Sequence, residues 1–125
     1  MLAIVYAGAI FYGSSIPAPD LPPVVGMISD KILHVMEYAG FAFLLHQTFS
    51  RQPRWYAISQ NAILLAVFIA IVYGATDEFH QSFVPGRSTE LNDWIADTLG
   101  AAVGVVFSIV ATAVMRRRSG RQQAQ

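Results

Sequence analysis

The chain has 125 residues, 54 % of them hydrophobic and 13 % charged, with eight basic residues against eight acidic and no cysteine. A soluble domain of this length carries about 25 % charged residues, so the composition argues against an ordinary water-soluble enzyme. The absence of cysteine excludes a disulfide framework, a thiol nucleophile and a thiolate metal site.

A bilayer core of about 30 Å needs about 20 helical residues. The first apolar segment, residues 1–13 (MLAIVYAGAIFYG), is shorter than that, and no basic residue precedes it. It reads as a retained first helix, either short or belonging to a chain that begins late. A signal peptide fits less well, because there is neither a charged n-region nor a small-residue cleavage site. Ser14 to Asp30 follows with four prolines, of which Pro19, Pro22 and Pro23 suggest an extended strap. A second span covers residues 31–49, and Ser50 to Trp55 holds Pro53. The third span covers 59–79, Gln81 to Asn92 contains Pro85-Gly86, and the fourth covers 93–115, ahead of a basic tail at 116–125. The expected fold is all-α: one domain, a bundle of four antiparallel transmembrane helices, with two outer loops capping one end.

Cytoplasmic loops are enriched in Lys and Arg. Arg51 and Arg54 follow the second span, and Arg116, Arg117, Arg118 and Arg121 follow the fourth, which puts both termini on the cytoplasmic side. All eight acids then fall in the outer half with only Lys31 and Arg87, so that half carries six net negative charges and the inner half six positive ones. The positive-inside rule explains the inner set only, since acidic residues contribute little to topology. Trp55, Tyr56 and Trp94 lie near span ends, as an aromatic belt requires. The arginine run reads as an anchor with some attraction for anionic lipids. Nucleic-acid binding is not expected.

An ionisable side chain inside a membrane span is costly and by default a functional hypothesis. Asp30, His34 and Glu37 share one helix face; Asp77 and Gln81 are four apart with Glu78 on the flank; Asp93 and Asp97 form a further pair, continued by Gly100, Gly104 and Ser108. Gly100 and Gly104 form a G-x-x-x-G, which lets helix backbones approach closely. Three polar stripes therefore point from the same end, towards a cleft lined by Asp30, Lys31, His34, Glu37, Asp77, Glu78, Gln81, Arg87, Asp93 and Asp97.

Three stretches carry a family resemblance: SSIPAPDLP (Ser14 to Pro22), DKILHVMEYAGFAFLL (Asp30 to Leu45) and YGATDEFHQSFVPGRSTELNDWIADTLGAAVG (Tyr73 to Gly104). The sequence resembles the VanZ-like family of small bacterial membrane proteins, named after a glycopeptide (teicoplanin) resistance protein. The shared patterns are Ser-Ser-x-Pro, D-K-x-x-H-x-x-x-Y, D-E-x-x-Q-x-F-x-P-G-R, and D-x-x-x-D or D-x-x-x-N before a glycine stripe. Asp97 stands where the family often has asparagine, and the family's first helix is commonly longer. The resemblance implies an integral protein of the bacterial cytoplasmic membrane, linked in its name-giving member to reduced susceptibility to a lipoglycopeptide.

The residues admit rival readings. Arg87 and Lys31 can grip a phosphate or carboxylate on an outer-leaflet lipid, a lipid-linked cell-wall precursor or a lipoglycopeptide, or they can simply neutralise neighbouring aspartates. His34, Glu37, Asp77 and Glu78 are the candidates for a catalytic carboxylate-histidine set in a membrane hydrolase or transferase. No cofactor is implied beyond a divalent cation that such carboxylates can hold, with His80 as a further ligand set about 60° aside. His46 reads as interfacial, and Ser14-Ser15 as hydroxyls at a helix end or in a turn into Pro17, for want of any nucleophile motif. A proton-linked transporter ranks last, because four short helices leave little room for a pathway.

Overall fold

The structure, a computed structural model, describes residues 2–21 and 29–123. Among these residues there is no strand. In chain order they form α1 (Leu2–Ser14), a single 3-10 turn (Ala18–Asp20), α2 (Asp30–Ser50), the short α3 (Tyr56–Gln60), α4 (Ala62–Gln81) and α5 (Leu91–Gln123).

The helices depart from their expected bounds in two places, each for a local reason. The third span begins at Ala62, not Ser59, because the Asn61 side-chain amide turns back onto the Ala57 carbonyl (2.8 Å) and closes α3 there. The basic segment after Met115 is no separate tail: α5 runs through it to Gln123. No proline interrupts it, and arginines are good helix formers whose charge suits a helix C-terminus. Pro19 sits in the 3-10 turn and not in an extended strap, while Pro22, Pro23 and Met1 lie outside the described residues.

Two helices, α4 and α5, are long and apolar enough to cross a membrane. The apolar α1 has 13 residues, and α2, at 21, has the length, but Asp30, Lys31, His34, Glu37, His46 and Gln47 dilute its apolarity. The distribution of side chains is inverted relative to a water-soluble protein. Leu64, Phe68 and Phe107 point outward at 70, 64 and 65 % exposure, whereas Asp97, Asp93 and His34 are buried at 1, 2 and 6 %. Large apolar groups facing out and small or polar groups packed between helices is the arrangement a lipid solvent favours.

Alanine and glycine make the helix contacts close. Ala42, Ala66, Ala70 and Ala101 are fully enclosed, with Tyr38 and Phe41 filling the space beside α1. The most extensive pairing is α2 with α5. Its polar contacts keep a nearly constant separation along the chain: Lys31 with Asp93, His34 with Asp97, and His46 with Ser108, at 62, 63 and 62 residues. The two helices therefore run in the same direction. The glycine stripe sets their spacing, since a Cβ at Gly100 would lie 2.9 Å from Val35 Cα and one at Gly104 2.8 Å from Ala39 Cα. Helix α1 runs alongside α4 in the same sense, through Tyr73 Oη to the Ala7 carbonyl (2.7 Å) and Ser14 to Asp77.

The opposite, C-terminal end of the α2/α5 seam is polar as well. His46, expected at the interface, is buried, with Nδ1 2.7 Å from Ser108 Oγ, and Gln47 Nε2 donates to the same hydroxyl (2.9 Å). Ser108→Ala strands His46, while Gln47 keeps its bond to Thr112 Oγ1 (3.1 Å), and should cost about 1 to 2 kcal/mol. Thermal unfolding in detergent checks this, and Ser119→Ala on the exposed end of α5 should leave the midpoint unchanged.

Candidate functional site

The C-terminal end of α1, the N-terminal halves of α2 and α5 and the C-terminal half of α4 meet at one end of the molecule. The connection after α4 closes over it. Gly86 has a φ of +77°, a left-handed conformation that suits glycine, and a Cβ there would sit 3.2 Å from Ala18 and Pro19. This turn brings the Pro85 carbonyl to the Ala18 amide (3.2 Å) and Arg87 to α1. Arg87 donates from Nε to the Ile16 carbonyl (3.2 Å) and from Nη2 to the Gly13 carbonyl (3.0 Å). It thus clamps the last turn of α1 to the segment that follows it, sharing the Gly13 carbonyl with the Ile16 amide (3.2 Å).

Beneath this cap lies a cavity of about 210 Å³ whose wall includes Ser14, Asp30, His34, Glu37, Asp77, Gln81 and Arg87. Asp77 is buried with both oxygens engaged, accepting from Ser14 Oγ (2.6 Å) and Gln81 Nε2 (3.0 Å). Asp30 and Glu37 are exposed to the cavity and the surface. The four-residue spacing of Asp77 and Gln81 is what allows their mutual hydrogen bond.

Beside the cavity, Lys31 bridges α2 to the start of α5, donating to Glu90 Oε2 (2.7 Å) and to Asp93. The ammonium group holds the exposed Glu90 carboxyl below the usual carboxylate range. Deeper still, His34 Nδ1 lies 2.8 Å from Asp97 Oδ1. Glu78 approaches the same place from α4, its Oε2 accepting from the Glu90 amide (3.2 Å). One ligand-capable atom from each of His34, Glu78 and Asp97 lies within 4.8 Å of the others. Glu78 Oε1, Asp97 Oδ2 and the hydroxyl of the fully enclosed Tyr38, one turn along α2 from His34, have no hydrogen-bond partner among the described residues.

The ten expected residues thus gather at one end but in three groups. The cavity wall takes Asp30, His34, Glu37, Asp77, Gln81 and Arg87; the half-buried ion pair takes Lys31 and Asp93; the buried cluster takes Glu78 and Asp97, with His34 common to wall and cluster. Arg87 does not neutralise an aspartate among the described residues, whereas Lys31 does. His80 turns away from the acids, stacking on Phe11 (4.3 Å between centroids) with Nε2 3.0 Å from Ser15 Oγ. Trp94 is more than a belt residue, since its indole N–H donates to the Ile71 carbonyl (3.0 Å).

Sequence reasoning missed two participants. Ser14 read as a helix-end or turn hydroxyl and does end α1, but its bond to Asp77 was not expected, though the Ser-Ser-x-Pro pattern was the available signal. Glu90 had none, because it precedes the regular spacing of α5.

The chain matches the VanZ/LLP1 family over residues 3–112, nearly its whole length. It belongs to that family. No curated protein and no solved structure gave a match. Membership, together with two helices fit to cross a bilayer, points to a membrane protein of VanZ type. Ser14, Asp77, Gln81 and Arg87, all from the stretches on which the resemblance rests, stand on the wall of one cavity.

Proposed function

We propose that this VanZ-family protein crosses the bacterial cytoplasmic membrane with four antiparallel helices and both termini inside, and that its cavity receives the polar headgroup of an outer-leaflet amphiphile. The candidates are a membrane lipid, a lipid-linked cell-wall precursor or a lipoglycopeptide. One observation carries this reading: the capped cavity of about 210 Å³ with Arg87, Glu37 and Asp77 on its wall. At about 30 Å³ per water, that is space for about seven waters, which suits a headgroup and not a whole lipid. The remaining guanidinium N–H groups of Arg87 suit a phosphate or carboxylate. Glu37, which has no hydrogen-bond partner among the described residues, suits an ammonium or hydroxyl on the same headgroup.

Two variants test it in purified protein titrated with headgroup-labelled lipid. Arg87→Ala should weaken binding by about 10- to 100-fold, the usual cost of losing a charged hydrogen bond. Glu37→Gln removes a charge that braces no other group, so it should weaken binding while leaving the unfolding midpoint in place. Wild-type binding by both variants would sink the reading.

The His34–Asp97 pair supports a second reading of the same cleft, as a hydrolase or transferase. A histidine oriented by a buried carboxylate and facing a cavity can move a proton to or from a bound group. Conversion of the bound lipid, followed by mass spectrometry, separates this from recognition alone.

A further inference from the structure

We infer that His34, Glu78 and Asp97 hold one divalent transition cation of the Zn²⁺ or Mn²⁺ class, where α2, α4 and α5 meet behind the cavity wall. This goes beyond the headgroup reading and does not rest on it. Each of the three helices contributes one ligand, and all three side chains are more than nine-tenths buried, with exposures of 6, 6 and 1 %. Their ligand atoms lie within 4.8 Å of one another. An ion that holds ligands at about 2.0 to 2.2 Å keeps them roughly 3.3 to 4.4 Å apart, so modest side-chain adjustment closes the site.

Two unpartnered oxygens in this cluster point to a ligand. Glu78 Oε1 and Asp97 Oδ2 are buried without a hydrogen-bond donor among the described residues. Natural interiors leave few such atoms unsatisfied. Asp97 Oδ2 is directed at α4, where a Cβ on Gly74 would come within 2.8 Å of it, one turn before Glu78 on the same face.

A metal-bound imidazole is neutral and the two carboxylates carry two negative charges, so one divalent ion would neutralise the set. The nearby cations are otherwise engaged, Lys31 with Glu90 and Asp93 and Arg87 with the carbonyls of Gly13 and Ile16. The other possible ligand group, Asp30, His34 and Asp93, is weaker: Asp30 is exposed, and the Lys31 ammonium on Asp93 repels an incoming cation. An imidazole nitrogen with two carboxylates and no thiolate favours borderline ions over Mg²⁺ or Ca²⁺, which take all-oxygen shells.

The test uses the full chain in detergent micelles, stripped with a chelator and then titrated separately with Zn²⁺, Mn²⁺, Mg²⁺ and Ca²⁺. Metal content and thermal unfolding are both read. The expected result is one Zn²⁺ or Mn²⁺ per chain and a midpoint that falls on chelation and recovers on add-back, as mass action requires. These readings need no variant and no lipid, so their failure is distinct from failure of headgroup binding. Glu78→Gln should weaken metal binding by more than about 100-fold, since even an outer partner of a metal ligand is worth about 10- to 100-fold. The assignment is overturned by absence of stoichiometric metal with an unchanged midpoint, by binding of Mg²⁺ or Ca²⁺ alone, or by binding that survives Glu78→Gln and is lost in Asp30→Asn.

Discussion

Gly104→Ala should destabilise the protein by about 2 to 3 kcal/mol, lowering its unfolding midpoint by on the order of 10 °C. The added methyl would overlap the Ala39 carbonyl oxygen and lie 2.8 Å from both the carbonyl carbon and Cα of the same residue. These are backbone atoms of a helix, so no rotamer change relieves the contact and α2 must move away from α5. Gly100→Ala, against Val35, should behave similarly. Gly40→Ala should cost much less, because its nearest neighbour is the hydroxyl end of Tyr6, a side chain that can swing aside. Gly8 has nothing within 4 Å, and alanine there should stabilise α1 by up to about 1 kcal/mol. Circular dichroism melts of the four variants in one detergent give the ranking. An unshifted midpoint for Gly104→Ala would refute the close α2/α5 approach. Separating these helices also draws His34 from Asp97 and Lys31 from Asp93, so headgroup binding should fall along with stability.

The second large effect concerns the buried pair. His34→Ala should cost about 3 to 5 kcal/mol in chelated protein, the usual penalty for stranding a buried charge. Asp97 would lose the one partner its oxygens have at 1 % exposure, and neutralising a carboxyl at pH 7 costs about 4 kcal/mol from its ordinary value near 3.9. Asp97→Ala should cost less, since the histidine it leaves behind is neutral at pH 7 at little expense. The double variant should therefore be more stable than His34→Ala alone, giving a coupling of about 1 to 3 kcal/mol in a double-mutant cycle. Additive losses would show that the two groups do not interact. Chelator in all samples keeps the measurement to the pair itself.

Much of this site was legible in local spacing. Asp77 and Gln81, four apart, do bond to each other, and Asp93, Asp97, Gly100, Gly104 and Ser108 do line one face of α5 against α2. Helical periodicity alone places such residues on a common face, whatever the rest of the chain does. His46 shows the limit of that logic. Its position near a span end suggested an interface, yet it is buried because Ser108 arrives opposite it, 62 residues away. Arg87 likewise had neighbouring aspartates to pair with, but the Gly86 turn carries it to the carbonyls of Gly13 and Ile16 at the end of α1 and just beyond it.

The opposed charges of the two ends, the apolar helices and the polar face of each were determined by composition and by a period of 3.6 residues, both properties of short stretches of chain. Which polar face meets which was decided only by tertiary packing. The glycine stripe sets how closely α2 and α5 approach, the shared direction of the two helices sets their register, and the loop after α4 selects the partner of Arg87. For that reason a set of acids and bases that balance to zero in the sequence becomes, in three dimensions, a half-buried ion pair, a capped cavity and a buried cluster with two oxygens left without donors.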